Sequence, residues 1–354
     1  MINYFSNISI SNFFLILISN LSMFYLVNLI FIKKNILIDI KRGSSHKQLI
    51  NSDTVPISGG IILLLNCLFF DFFNNIISHL LIFSIFLIGL FADLQKFNSP
   101  LKRFVFQSLV ILFFVTINDI FIRSIRFSLF DIYLNYNLIS IIFTSFCLLI
   151  LINGSNFIDG ANLQCSGYYF VILTILLYLN SNIILVNNIG TIYILYSFLL
   201  SFIIFNFLNK SYFGDGGSYL LSFIVGIILI NFQILTNISP YFVVLILWYP
   251  AFENFFSILR RISNSNTRPD QPDLLHLHHL LFKFLNVKFN LNKNLSSSLP
   301  SIIINLFNLI IFYIGTRFLY STFVLIILIF ICVMIYILVY FVLLRSSKLK
   351  TIKM

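Results

Sequence analysis

The sequence predicts an all-α polytopic membrane protein, and three observations carry that prediction. Only 9% of the 354 residues are charged and 59% are hydrophobic, against about a quarter charged in soluble domains. Mean hydropathy is +1.00. The apolar residues gather into about eleven runs, most of them long enough to cross roughly 30 Å of hydrocarbon at about 1.5 Å per residue. A disordered chain, a secreted disulfide scaffold and an ordinary soluble enzyme are excluded. The four cysteines, Cys67, Cys147, Cys165 and Cys332, form no CxxC pair and read as reduced residues of a membrane core.

The expected spans fall at 11–32, 56–78, 79–92, 103–120, 137–153, 167–181, 186–207, 218–237, 240–259, 300–316 and 319–344. The stretch at 79–92 is short and is expected to borrow residues from the loop before it. Lys33 and Lys34 follow the first span and no basic residue precedes it. That span is therefore expected to be an uncleaved anchor with its N-terminus outside. Alternation from there puts nineteen of the 22 Lys and Arg residues inside and leaves Arg123, Arg126 and Arg317 outside. The C-terminus is then cytoplasmic. The net charge of +11 is scattered between spans rather than clustered on a soluble module, so no nucleic-acid partner is expected. The organisation predicted is one integral membrane domain over 1–354, with a motif-bearing part at 33–285 and two C-terminal spans over 300–345.

The same frame sorts the unusual polar residues. Asp93, Asn153, Asn156, Asp159, Asp215, Asp273, His276, His278 and His279 all fall on the cytoplasmic side. Transporter sites sit near the bilayer midplane on broken helices. Polar chemistry collected at one membrane face favours an enzyme that joins a water-soluble substrate to a lipid one.

Five loops carry that chemistry. The first holds KRGSSH (41–46) and then VPISGG (55–60); Lys41, Arg42 and His46 read equally as positive-inside anchors and as phosphate contacts, and Gly59 and Gly60 as close helix packing. In the second, GLFADLQKFNSPLKRFVFQ (89–107), Asp93 leaves a span and Lys96, Lys102 and Arg103 follow. The third, NGSNFIDGANLQCSG (153–167), has no Lys or Arg. Its Asn153, Asn156 and Asp159 recur every three residues on one helical face, and amide oxygens with a carboxylate suit Mg²⁺ or a nucleotide base.

The fourth loop, YFGDGGSYLL (212–221), is a Gly-rich turn into a helix N-terminus, a setting that suits a diphosphate. Asp215 in that turn would hold the neutralising cation. In the fifth, RPDQPDLLHLHHLLFKFL (268–285), Pro269 and Pro272 lead into a helix with Asp273 in its first turn. Leu274, Leu277, Leu281, Phe284 and Leu285 suggest a helix along the membrane surface. His276 and His279 are expected to share a face, with His278 pointing elsewhere. Imidazoles donating to phosphate fit better here than zinc, whose Cys partners are remote. His79 reads as an outer loop residue, Asp71 as functional or snorkelling, and 121–136 as a short outer hairpin or surface segment.

GLFADL, NGSNFIDGAN, FGDGGS and PDQPDLLHLHH, in this order and on one face, resemble the polyprenyl-phosphate N-acetylhexosamine-1-phosphate transferases (glycosyltransferase family 4). That superfamily includes undecaprenyl-phosphate GlcNAc-1-phosphate transferase and phospho-MurNAc-pentapeptide transferase. The HLHH ending looks more like the GlcNAc and O-antigen-type branch. The resemblance implies Asp215 as a Mg²⁺ ligand with Asn156 as a second, Mn²⁺ being able to substitute. It implies Asn153 and Asp159 in the nucleotide pocket, Asp93 as the second carboxylate of a paired-Asp motif, and His276, His278 and His279 as a histidine loop. Lys102 or Arg103 would match the basic residue before Gln107.

The chain departs from that pattern in three places. Ala92 stands where the first acid of the pair is usual, Asn162-Leu163 where Asp-Gly is usual, and the gap between His46 and Gly59 is long. The activity implied is transfer of an N-acetylhexosamine-1-phosphate from a UDP-sugar to polyprenyl (undecaprenyl) phosphate with release of UMP. It would run at the cytoplasmic face of a bacterial inner membrane, through catalytic Asp93, Asp159 and Asp215, to initiate cell-surface polysaccharide or O-antigen synthesis, with a homodimer as the oligomer. The alternatives are a multipass transporter or flippase and a catalytically inactive relative.

Overall fold

The computed structural model describes residues 10–39, 54–72, 75–97, 99–182, 189–263, 275–289 and 293–351. Among these are fourteen α-helices and one antiparallel pair of two-residue strands, β1 (Ile38–Asp39) and β2 (Val55–Pro56). Long helices satisfy every backbone group internally, which is what hydrocarbon demands. Eight of them are long and apolar enough to cross a membrane, or nine if a bent pair counts as one span.

The comparison with the eleven expected spans turns on two segments. The stretch 56–78 divides into α2 (Gly59–Phe69) and the start of α3 (Ile76–Asp93). Two polar residues make the break. Asp71 takes a left-handed φ of 45°, and the Asn75 side chain caps α3 by accepting the Ile77 N–H at 3.0 Å. At eleven residues, α2 rises only about 16 Å, short of a full crossing. α3 duly begins before residue 79 and gains length from the preceding segment. Asp71 is 72% exposed and pairs with His79 Nε2 at 3.1 Å; it lies in a turn rather than inside a span, and His79 lies on the first turn of α3 rather than in a loop. The second segment is α7 (Gln164–Asn182), a largely buried helix studded with Gln164, Ser166, Tyr168 and Tyr169.

α9 (Gly214–Thr236) is the axis of the bundle and touches α2, α3, α6 (Asn137–Ile158), α7 and α10 (Pro240–Ile246). Its N-terminal glycines let two backbones come close. A Cβ on Gly89 of α3 would lie 2.4 Å from Gly216 Cα, so small residues on both helices set this contact. α1 (Ile10–Lys34) packs along α8 (Ile189–Phe207), with Phe24 wedged against Phe198, Phe202 and Phe205 at 5.4–5.8 Å between ring centres. Asn20 ties the same helices together, accepting from Asn66 at 2.9 Å and donating to Ser197 at 3.0 Å.

The expected span 240–259 is broken. α10 and α11 (Trp248–Ser263) meet at 68°. Pro250 has no N–H to give the carbonyl four residues back, and the Tyr168 hydroxyl donates to that carbonyl, Ile246 O, at 2.8 Å. On the opposite end of the bundle from the polar loops, 121–136 is an extended run followed by α5 (Ser128–Leu134), a surface segment and not a hairpin. Arg126 there donates to Asn237 O, Tyr320 O and Thr322 Oγ1 at 2.8–3.2 Å. It fastens the α9–α10 connection to the turn before α14 (Thr322–Thr351).

The α3–α9 contact yields a prediction. Gly89→Ala forces backbone apart and should cost about 1–3 kcal/mol, read as a lower unfolding temperature in detergent. An unchanged midpoint would refute the close packing.

Candidate active site

Asp93 is the last residue of α3, and its carboxylate reaches the start of α9. One oxygen accepts the Asp215 N–H at 2.9 Å and the other the Gly216 N–H at 3.2 Å. α9 has no side-chain cap from its own N-cap residue, so α3 supplies the anion that the exposed N–H groups and the helix dipole favour. Gly214, at φ +77°, is obligatory beside it: a Cβ would sit 2.7 Å from Asp93 Oδ2 and 2.4 Å from Ile57. The sequence reading offered these amides to a diphosphate. The structure corrects that, because the two first-turn amides already hold a carboxylate.

Asp215, in the first turn of α9, faces α4 (Pro100–Ile117). Arg103 Nη1 donates to Asp215 Oδ2 at 3.1 Å, with both side chains partly buried. Ser99 caps α4 and Pro100 opens it, which fixes the register: Lys102 falls on the exposed side and Arg103 turns toward α9. One turn further, buried Gln107 accepts from Asn153 Nδ2 at 3.1 Å.

Asn153, Asn156 and Asp159 lie at the end of α6, as their spacing implied. Asn153 is held by Gln107 and by Leu149 O at 2.9 Å. Asn156 Oδ1 lies 3.3 Å from the Ser218 hydroxyl, which is also 3.1 Å from Asp215 O, and Asn156 Nδ2 donates to Tyr219 OH at 3.4 Å. Asp159 is the C-cap of α6. Asp93, Arg103, Asn156 and Asp215 thus converge from four helices.

The histidines form a second cluster on the other side of α6. His276 precedes α12 (Leu277–Phe289) and His278 and His279 open it. All three rings are buried, with centres 4.2–5.9 Å apart. His278 therefore does not point elsewhere. His276 lies outside the helix, so the 100° helical step does not apply across it. The cluster stands over the residue after Asp159: a Cβ on Gly160 would meet His278 Nε2 at 2.7 Å and His279 Nε2 at 3.2 Å. Phe157 of α6 contacts His276 at 5.8 Å, and Arg261 of α11 stacks on Phe157 at 5.4 Å. Lys41, Arg42, His46, Pro269, Pro272 and Asp273 lie outside the described residues.

Sequence reasoning missed Gln107, Ser218, Tyr219 and Glu253. The first three are ordinary residues of apolar helices, with no local signal. Glu253 had one, being the only glutamate in the chain.

Among the described residues no group of three or more His, Cys, Asp or Glu is arranged around a metal position. The carboxylate of Asp215 and the amide oxygen of Asn156 are hard donors of the kind that Mg²⁺ takes. Such ions take one or two protein oxygens and fill the remaining sites with water and substrate phosphate.

The cap predicts a stability effect. Asp93→Ala, which strips both amides, should lower stability by about 0.5–2 kcal/mol and Asp93→Asn by less. Equal unfolding midpoints for Asp93→Ala and wild type would rule the cap out.

Residues 75–233 match the model of glycosyl transferase family 4. The matched range runs from the cap of α3 into α9 and contains Asp93, Arg103, Asn153, Asn156, Asp159 and Asp215; the histidine cluster lies beyond it. A comparison with curated proteins finds no match. The segment 75–233, a little under half of the chain, is similar to glycosyl transferase family 4, the polyprenyl-phosphate sugar-1-phosphate transferases, a likeness that supports a transferase.

Proposed function

We propose that the protein transfers an N-acetylhexosamine-1-phosphate from a UDP-sugar to polyprenyl phosphate, undecaprenyl phosphate in a bacterial inner membrane, and releases UMP. The observation that carries this reading is the convergence of Asp93, Arg103, Asn156 and Asp215 at one end of the bundle, inside the family segment. The placement of nineteen basic residues on the same side of the expected topology supports a cytoplasmic site. The product would start a cell-surface polysaccharide such as O-antigen.

In the reaction an oxygen of the lipid phosphate attacks the β-phosphorus of the UDP-sugar. A new P–O–P bond forms, the bond from the β-phosphorus to its bridging oxygen breaks, and that oxygen leaves on UMP. Both reactants are anions, so the main work is to hold them together against repulsion. Arg103 neutralises Asp215 in the free protein and presents the planar donors that suit a phosphate. Asp93 fixes the turn on which Asp215 stands. Asn153 and Asp159 line the nucleotide side, and the histidines donate to phosphate oxygens. Asp215 and Asn156 would hold Mg²⁺, or Mn²⁺ in its place, which would supply positive charge against the diphosphate and the leaving UMP.

Ala92 does not weigh against activity. A phosphate monoester has its second pKa near about 6 and is largely a dianion at neutral pH, so the lipid phosphate needs no base to make it nucleophilic.

The test is UMP release by purified protein given Mg²⁺, undecaprenyl phosphate and a panel of UDP-N-acetylhexosamines, with EDTA as control. Lipid-dependent, EDTA-sensitive release from one sugar is expected. Asp215→Ala and Arg103→Ala should each lower turnover by about 10²–10³-fold, and Lys102→Ala should change it little. No release from any sugar, with none restored by Ala92→Asp, would leave an inactive relative.

A further inference from the structure

Glu253 is fully buried on α11, where a carboxylate without partners would be strongly destabilising. Both of its oxygens are engaged. Oε1 lies 2.9 Å from His276 Nδ1, and Oε2 accepts from the Tyr336 hydroxyl of α14 at 2.6 Å. A second rung lies further along the same two helices. Arg260 donates to Leu275 O at 3.1 Å, and Tyr340 OH lies 3.3 Å from the same guanidinium nitrogen. The residues Leu275 and His276, which lead into α12, are thus gripped from α11 and braced from α14.

We propose that Glu253 is the positioning residue of the histidine loop: it accepts the Nδ1 hydrogen of His276, fixes the ring's tautomer and plane, and turns Nε2 away from α11. The proposal rests on the reading of His276 as a phosphate contact and assigns a partner to it. A carboxylate on one ring nitrogen dictates what the other can do. Here the parallel stacking of His276 on His278, at 5.6 Å and 5°, carries the same orientation into the rest of the cluster. The bend at Leu247 and the contact of Pro250 with Gly154 of α6, where a Cβ would meet Pro250 O at 2.4 Å, hold the turn of α11 that bears Glu253 against the helix bearing Asn156 and Asp159. The C-terminal span α14, outside the family segment, thereby supports the site, since its Tyr336 and Tyr340 brace the clamp.

A double-mutant cycle on UMP release tests this, with full-length protein, kcat and KM for the UDP-sugar, and thermal unfolding as the fold control. Glu253→Gln is expected to lower kcat about 10- to 100-fold and to move KM less than about 3-fold. It should have no further effect in a His276→Ala background, since a residue acting through another is silent once that one is gone. Tyr336→Phe, which deletes one hydroxyl, should do the same more weakly, and it carries the test if Glu253→Gln does not fold. Additive losses in the two backgrounds, or full kcat in both Glu253→Gln and Tyr336→Phe, overturn the positioning role and leave the transferase reading standing.

Nitrogen NMR of histidine-labelled protein reads the contact without turnover. The His276 signals, identified by their loss in His276→Ala, should show a protonated Nδ1, and a bare Nδ1 overturns the proposal. A protonated Nδ1 in a protein that turns over no sugar refutes the transferase reading, and with it any role of the contact in transfer.

Discussion

A carboxylate at the end of one helix closes the start of another, and the rest of the site is arranged around that closure. Asp93 bonds two of the free first-turn amides of α9, those of Asp215 and Gly216, so α3 and α9 cannot shift along each other without exposing both. The glycine contact at Gly89 and Gly216 brings the two backbones near enough for the carboxylate to reach. Gly214 lets the chain turn beneath it. Once these are set, Asp215 has no choice of direction: it leaves the first turn of α9 toward α4 and meets Arg103. Packing of small residues, helix electrostatics and placement of the Asp215 carboxylate are here one constraint.

α6 converts that constraint into a two-sided site. Its last turns present Asn156 to α9 and Phe157 to the histidines and Arg261, and Asp159 ends the helix beside Gly160, where the imidazoles stand. A ligand between the acidic cluster and the histidine cluster would touch both through a single helix end.

Much of the site was legible in the sequence because the chain is so poor in charge. In a background this apolar, Asp93, Asp159, Asp215 and the three histidines each need a reason, and all stand in or beside the two clusters. The spacing of Asn153, Asn156 and Asp159 placed them at one helix end without any structure. What periodicity could not supply was the identity of partners. Asp93 reads from sequence as a catalytic carboxylate, and its capping of α9 stays hidden there because the amides it bonds lie more than a hundred residues away. The choice between Lys102 and Arg103 needed the cap at Ser99 to set the helical phase. The bend at Leu247 was hidden for the opposite reason, because one missing N–H does not interrupt an apolar run, whereas the break of 56–78 is marked in the sequence by Asp71 and Asn75.

The two departures in the third motif are explained by what now surrounds them. Asn162 is buried, and its amide nitrogen donates to Asn206 O at 3.1 Å and to Asn209 Oδ1 at 2.6 Å. An ionised aspartate has no hydrogen to give a carbonyl, so this junction between the α6–α7 and α8–α9 turns requires the amide. Leu163 takes a φ of 63°, the region glycine occupies without cost and other residues pay about 1–2 kcal/mol to enter. Its backbone is held there from both sides, the N–H by Asn206 Oδ1 at 2.7 Å and the carbonyl by Asn305 Nδ2 at 2.9 Å, while the side chain is buried. Position 162 has therefore become part of the scaffold, fastening α6 and α7 to α8 and α13 (Lys293–Thr316). An amide at 162 thus serves the packing of these turns, and Asp93, Asp159 and Asp215 are the carboxylates that remain at this end of the bundle.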